Sequence, residues 1–177
     1  QLLMVNLLKE KRLTKINNVV TSGLNRNVKM KKSGVQWLDD IPEHWSILKL
    51  SHFAPLITCG VAATPEYVDE GVVFLSAQNI KFWKIDLSKG HKFISQKSHE
   101  ELTKNRSPVN GDILLTRVGT IGEVCIVDVD FDFSIFVSLT HLRLSNSVCL
   151  NEFFVLLCES KYVRSNHAAV TLVGGGV

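Results

Sequence analysis

The stretch SGVQWLDDIPEHW, residues 33–45, carries two tryptophans, an Ile-Pro step and an acidic pair directly after a run of lysines. It is too polar for a core strand, and Pro42 excludes a long helix through it. A tryptophan combines a large apolar body with a polar tip, so a polar connector that keeps Trp37 and Trp45 is expected to be pinned against another part of the protein.

The composition predicts an ordinary globular domain. The chain has 177 residues, of which 45% are hydrophobic and 21% charged. No apolar run approaches the ~18 residues that a membrane span needs, so no membrane contact is expected. Because the chain begins at Gln instead of Met, we expect a fragment of a longer protein.

The cysteines and histidines are dispersed. No C-x-x-C pair and no histidine pair occurs, so we predict free thiols in a reducing cytoplasm, no metal site and no cofactor. The four cysteines are Cys59, Cys125, Cys149 and Cys158.

The net charge of +3 is unevenly distributed along the chain. Before residue 33 there are eight basic residues and the single acid Glu10, whereas the remainder has twelve basic and sixteen acidic residues. A basic entry segment on a near-neutral body indicates a local contact with a polyanion. A solvated charged face gives the same pattern.

Residues 2–23 predict an amphipathic helix that ends at Gly23. Because the helix begins at the first residues, we expect it to be the tail of a longer one. Its apolar stripe needs a partner, and we predict that the stripe is exposed in this chain. The residues predicted to pack on a second helix are Leu8, Leu13, Ile16 and Val20.

After a connector, the pattern predicts an α+β domain with a mainly antiparallel sheet and short helices. We predict strands at 46–53, 72–80, 91–94, 112–118 and 123–129, with one or two more between 133 and 145. The text at 98–101 matches a capping box that opens a short helix through Leu102, and Asn110-Gly111 predicts a turn. Residues 150–165 predict another helix, and the final VTLVGGGV is strand-like.

No catalytic motif is recognisable. GTIG (119–122) lacks the lysine of a phosphate-binding loop and any following helix, so a hairpin turn is predicted. Asp112 and Glu123 resemble a nuclease carboxylate pair without its lysine, and we interpret them as a turn residue and a strand-start residue. No amino-methyltransferase run and no nucleophile elbow occurs. We predict that the chain is not an enzyme.

Polar and basic residues gather in predicted loops at strand ends. Lysine suits phosphate, Gln and Asn suit adenine edges, and Arg suits guanine. We predict that Lys81 and Lys84 contact phosphates, that Gln78, Asn79 and Arg117 contact bases, and that Thr120 makes a lesser contact. Two alternatives stay open: these are loop residues on a solvated surface, or Arg117 pairs with Asp112 or Glu123.

The text VTSGLNRNVKMKKSGVQWLDDIPEHW (20–45) resembles the junction of type I restriction–modification specificity subunits. In that family a spacer helix ends in TxGL, crosses a connector and enters a target-recognition domain through SGxxWLGxIPxHW. Asp39 replaces the glycine of that pattern. NGDILLTRVGTIG (110–122) resembles the GDIL-x-x-R-x-G-x-x-G hairpin, and the terminal VGGGV resembles the start of the GGG-x-x-x-LN exit.

The resemblance implies a non-catalytic subunit that reads one half of a bipartite double-stranded DNA target in the cytoplasm. Residues 1–23 would end the central spacer helix, 24–45 would connect, and 46–177 would form a C-terminally truncated target-recognition domain. The implied partners are methyltransferase modification subunits, motor-nuclease restriction subunits and the second spacer helix of the full-length subunit. The connector would then pin the recognition domain to the end of the spacer helix.

Two other interpretations compete with a full-length parent. The chain could belong to a half-sized specificity subunit that acts as a homodimer, which the length of the parent gene decides. It could also be a protein-interaction domain that does not read DNA. Binding to nonspecific duplex at low salt separates that class from the DNA-binding ones.

Overall fold

The computed structural model describes residues 2–36, 38–104, 106–118 and 122–164. These residues form an α+β fold with mainly antiparallel sheets and short helices after an N-terminal helix, which confirms the predicted fold class. The chain divides into two compact units, residues 1–50 with 156–177 and residues 51–155. The predicted VTLVGGGV strand lies outside the described residues.

The helices and strands follow in chain order, with 3-10 turns at Leu50–His52 and Ala77–Asn79. They are α1 (Leu2–Ser22), β1 (Met30–Val35), β2 (Leu38–Pro42), β3 (Leu56–Cys59), β4 (Tyr67–Val68), β5 (Val72–Leu75), β6 (Ile80–Lys81), β7 (Lys84–Ile85), β8 (Lys92–Ile94), α2 (Gln96–Thr103), β9 (Ile113–Thr116), β10 (Val124–Ile126), β11 (Phe133–Ile135), β12 (Leu139–Arg143), α3 (Asn151–Glu159) and α4 (Lys161–Arg164). None of the helices within these ranges is long and apolar enough to cross a membrane.

In the first unit, α1 confirms the predicted helix, but only part of its apolar stripe is exposed. Leu8 and Leu13 are 58% and 41% exposed. Ile16 and Val20 are buried, because α1 contacts β2 and α4 of this chain. The prediction that Ile16 and Val20 are exposed in this chain is therefore wrong, and packing of Leu8 and Leu13 on a second spacer helix stays a prediction.

The connector contains the antiparallel β1–β2 hairpin, which the sequence pattern did not predict. β1 is largely exposed, in keeping with its polar residues, whereas β2 is buried at its last two residues, Ile41 and Pro42. Lys32 Nζ lies 2.8 Å from Asp40 Oδ1 on the paired strand. Pro42 is the last residue of β2, where its missing N–H is tolerated.

Trp45 is anchored at the C-terminal end of α1. Gly23 ends that helix with a positive φ of 73°, and its N–H donates to Val19 O. A Cβ atom at Gly23 would lie 3.4 Å from Cζ2 of Trp45. The tryptophan-bearing connector therefore packs on the helix end through Trp45, whereas Trp37 is outside the described residues.

The second unit contains two four-stranded sheets and one small hairpin. One sheet has the order β10-β9-β12-β3 and is antiparallel throughout. The other has the order β11-β5-β8-β4, in which β11 and β5 are parallel. The hairpin is formed by β6 and β7. The core cluster of this unit contains Leu75, Ile80, Leu114, Cys125, Val127, Phe133, Ile135 and Leu139.

Gly60 allows the backbone of the β3 end to approach the segment between β11 and β12. Its N–H donates to Leu139 O at 3.2 Å, and Val61 N–H donates to Ile135 O at 3.2 Å. A Cβ atom at Gly60 would lie 2.1 Å from Ile135 O, inside any allowed contact. The absence of a side chain at this position is therefore a packing requirement.

Several predicted boundaries are corrected. The strand predicted at 46–53 does not form: residues 46–49 are irregular and exposed, so no buried face stabilises them. The strand predicted at 72–80 ends at Leu75 and gives way to the 3-10 turn. The cap of α2 is Ser95, whose Oγ accepts from Ser98 N–H at 3.1 Å, and not Ser98. The helix predicted at 150–165 is interrupted at Ser160.

Other predictions are confirmed. The Asn110-Gly111 turn precedes β9, with Gly111 at a φ of +90°, and β9 pairs with β10 as predicted. The four cysteines are free thiols, and Cys125 is fully buried. Burial raises the pKa of Cys125 to about 12, so this thiol is protonated at physiological pH.

Candidate nucleic-acid interface

The β6–β7 hairpin presents two of the predicted phosphate-binding residues. Lys81 is paired with Lys84, and Ile80 with Ile85, in an antiparallel register. Both lysines are exposed, while Ile80 is 3% exposed and belongs to the core. Like charges directly opposite each other destabilise a strand pair, so this placement favours an anionic partner at the tip.

Two aromatic residues form the loop of this hairpin. Phe82 and Trp83 both have positive φ angles, 49° and 68°, as in a type I′ turn. That turn favours Asn-Gly, and a non-glycine residue held in this region costs roughly 1–3 kcal/mol. Phe82 is 81% exposed, with Lys81 Nζ 5.5 Å from its ring centroid. Trp83 is half-buried and forms a backbone bridge with Cys125.

Of the two amides before the hairpin, only one is accessible. Gln78 is exposed and its Nε2 lies 3.4 Å from Gly90 O. Asn79 is fully buried: its Oδ1 accepts from Ser76 N–H at 3.0 Å and its Nδ2 donates to Gly90 O at 2.9 Å. The prediction that Asn79 contacts a base is therefore wrong, because its amide is used to hold the backbone.

The backbone that Asn79 holds includes the loop at 86–90, which carries one acidic and one basic residue. Asp86 N–H donates to Asn79 O at 2.7 Å, and Ser88 N–H donates to Asp86 Oδ1 at 2.9 Å. Hydrogen bonding with Ser88 lowers the pKa of Asp86. The loop carries Lys89, which is exposed. Lys89 and Lys81 also lower the pKa of Asp86 by charge interaction, so both lysines lie near this carboxylate.

Arg117 follows β9 in a neighbouring hairpin. Arg117 is half-buried, and its backbone N–H donates to Ser138 O at 2.9 Å. The β6–β7 hairpin contacts β10, and β6 also contacts β9, so the Lys81–Lys84 tip and the Arg117 loop belong to adjacent hairpins. Thr120 lies outside the described residues. The roles predicted for Gln78, Lys81, Lys84 and Arg117 stay predictions.

A buried ionic cluster occupies the base of the β9–β10 hairpin. His141 Nε2 lies 2.6 Å from Asp112 Oδ2, and Arg143 donates to both carboxylate oxygens at 2.7 and 2.8 Å. Val109 N–H donates to the same carboxylate at 2.9 Å. Asp112 and His141 are 2% and 0% exposed.

The Asp112 carboxylate is held ionised by these contacts. Burial raises its pKa, but hydrogen bonds from Arg143, His141 and Val109 outweigh burial and lower the pKa to about 2. The cluster fixes the turn at 107–112, where Arg143 also donates to Ser107 O. Asp112 is therefore a structural turn residue, and its carboxylate is bound by Arg143 and His141, the partners that sequence reasoning missed.

Sequence reasoning missed two more exposed residues of this candidate surface, Phe82 and Lys89. Phe82 was not singled out, although it stands between two lysines in KFWK, and Lys89 lies in the text that follows. The signal available was an aromatic pair at the centre of a basic tetrapeptide, a composition typical of nucleic-acid contacts. Within the described ranges, no group of three or more His, Cys, Asp or Glu residues could hold a metal ion.

The fold is similar to that of a solved specificity subunit. The chain matches the crystal structure of the HsdS subunit from Thermoanaerobacter tengcongensis with a TM-score of 0.57 and 13% sequence identity. The match covers 95% of this chain and 39% of that one, so the chain spans well under half the length of the subunit it resembles. That neighbour is a type I restriction–modification specificity subunit, the family that the motifs at 20–45 and 110–122 resemble.

Comparisons of sequence add no further relative. No protein-family model matches the chain, and no curated protein matches it. At 13% identity the structural likeness concerns the fold, not the residues that read a target.

Proposed function

We propose that this chain is a DNA target-recognition domain of a type I restriction–modification specificity subunit, preceded by the end of a spacer helix. The observation that carries the proposal is the likeness of the fold to an HsdS subunit, in a chain whose hairpin presents paired lysines beside exposed Phe82. The parent subunit reads one half of a bipartite DNA target through this domain.

Phosphate contacts and base contacts have separate sources in this proposal. Lys81, Lys84 and Lys89 are exposed cations that bind phosphates and supply affinity for any sequence. Gln78 and Arg117 reach base edges, because an amide pairs with adenine and a guanidinium with guanine. Thr120 makes a lesser contact from the β9–β10 loop.

The spacer helix α1 contacts another part of the parent subunit. Residues of the first half of α1 expose apolar side chains, including Leu3 at 73%, Leu7 at 56% and Leu8 at 58%. An exposed apolar helix face of this kind needs a partner, and the second spacer helix of the parent subunit covers it, with Leu8 and Leu13 in the contact. Modification and restriction subunits assemble on the parent subunit in the cytoplasm, and the chain itself performs no catalysis.

The proposal is tested by coexpressing the parent subunit with its modification subunits in a host free of adenine methylation, followed by methylome sequencing. A methylated bipartite target is expected, and replacing residues 46–177 by another recognition domain should change one half-site. A palindromic bipartite target would instead identify the half-sized homodimer. The absence of methylation from an assembled complex would contradict the proposal.

A further inference from the structure

We propose that Phe82 acts as a wedge that inserts against a base step of duplex DNA, while Lys81 and Lys84 bind the flanking phosphates. This inference rests on the proposed DNA-binding function and adds to it a residue that distorts the duplex. Apolar side chains inserted between base steps partly unstack them and kink the helix axis. Phe82 has the chemistry and the exposure for that role.

The backbone at the tip of the hairpin has an unfavourable conformation. Positive φ angles at Phe82 and Trp83 are unfavourable for bulky side chains, and Asn-Gly would form the same turn without strain. Two aromatic residues at these positions therefore destabilise the turn. Strain of this kind persists at ligand-binding segments, where the side chain serves an interaction that the free domain does not contain.

The base of the hairpin is held in place by buried and hydrogen-bonded residues. Ile80, at the base of the hairpin, is buried in the core, and Trp83 is bridged to Cys125 of β10. Asn79, the residue before β6, is fixed by hydrogen bonds to Ser76 and Gly90. Phe82 thus extends from a supported base, and little conformational entropy is lost when it enters a stack of bases.

The charge of the residues that flank Phe82 indicates which class of partner the hairpin binds. A single exposed phenylalanine is common on protein surfaces and carries no inference alone. Here Lys81 and Lys84 stand opposite each other on either side of it, and an anionic ligand relieves their repulsion. A polyanion whose charges flank stacked apolar planes satisfies both the lysines and the ring, and duplex DNA is such a polyanion.

The experiment compares two labelled duplexes of one sequence, fully paired or with one central mismatch, by fluorescence anisotropy at equal low salt. A mismatched step is cheaper to unstack, so the wild-type chain should bind the mismatched duplex about tenfold more tightly. Phe82→Asn keeps a residue that tolerates positive φ, so the turn should survive with an unchanged or higher Tm. This variant should lose the mismatch preference and keep its salt dependence.

Phe82→Leu retains an apolar wedge and should keep most of the preference. Val148→Ala, which removes an exposed apolar side chain outside this hairpin, should bind both duplexes like the wild type. Equal wild-type affinity for the two duplexes, or a preference that survives in Phe82→Asn, would overturn the wedge while leaving DNA binding intact. Binding to neither duplex would overturn the proposed function itself and indicate a protein partner for the hairpin.

Discussion

Lys81 and Lys84 are directly opposite each other across the β6–β7 hairpin, and Lys81 Nζ lies 5.5 Å from the ring centroid of Phe82 at its tip. Like charges on directly opposite residues disfavour a strand pair, and a bound phosphate would offset that cost. The proposed function predicts that these two lysines bind phosphate.

We expect Lys81→Ala to weaken binding to cognate and random duplex alike, because a phosphate contact carries no sequence information. The slope of log K against log salt should decrease in magnitude by about one unit. Titrations at several salt concentrations measure both effects. Lys97→Ala, which removes an exposed lysine of α2, is the matched control and should leave the slope unchanged. An unchanged slope for Lys81→Ala would remove Lys81 from the interface.

We expect Arg117→Ala to behave differently. A base contact by a guanidinium should cost roughly 1–3 kcal/mol on the cognate half-site and little on random duplex. Competition binding with both DNAs provides the measurement. Equal losses on the two DNAs would make Arg117 a backbone contact, and no loss on either would place it on a solvated surface.

The buried Asp112 cluster predicts a specific acid sensitivity. The folded-state pKa of about 2 lies below the ordinary value of 3.8, so ionised Asp112 stabilises the folded state above that ordinary value. This contribution, roughly 2 kcal/mol, is lost as the pH falls from about 4 through 2. Urea unfolding across this pH range measures it.

Asp112→Asn should lower stability at neutral pH, since Arg143 and His141 lose their carboxylate partner. It should also flatten the decline of stability between pH 4 and about 2. Asp130→Asn, at an exposed carboxylate, is the control and should keep the wild-type decline. A wild-type decline in Asp112→Asn would show that other carboxylates cause the acid sensitivity.

Gly60→Ala should destabilise the second unit. The added methyl group would lie 2.1 Å from Ile135 O, so the backbone must move. Forced overpacking costs roughly 1–3 kcal/mol, and thermal unfolding should show the loss. Gly90→Ala is a useful contrast: its Cβ meets nothing within 4 Å, so any loss there arises from its positive φ of 82°. An unchanged Tm for Gly60→Ala would contradict the close approach of these backbones.

Local patterns predicted the elements that depend on neighbouring residues. The spacing of apolar residues predicted α1, and Asn110-Gly111 predicted the turn before β9. Both elements depend on adjacent side chains and on local backbone φ. The polar β1–β2 hairpin was missed, since β1 is mostly exposed and the buried residues of β2 are adjacent, Ile41 and Pro42, which leaves almost no alternation to detect.

Features that depend on residues distant in sequence could not be predicted. Asn79 is a residue type that often contacts bases. It is buried here because its amide bonds Gly90 O and it lies beside the core residue Ile80. Asp112 was correctly interpreted as a turn residue, whereas its partner Arg143 lies on another strand. The parallel pairing of β5 with β11 is equally non-local.

Selection from a pool of random duplex DNA tests the central claim most directly. The chain is incubated with the pool at physiological salt, and the bound DNA is amplified and sequenced over successive rounds. A recognition domain should enrich one short motif, bound about a thousandfold or more tightly than random duplex. Bound DNA with no sequence enrichment, or no bound DNA, would contradict the conclusion that this chain reads half of a DNA target.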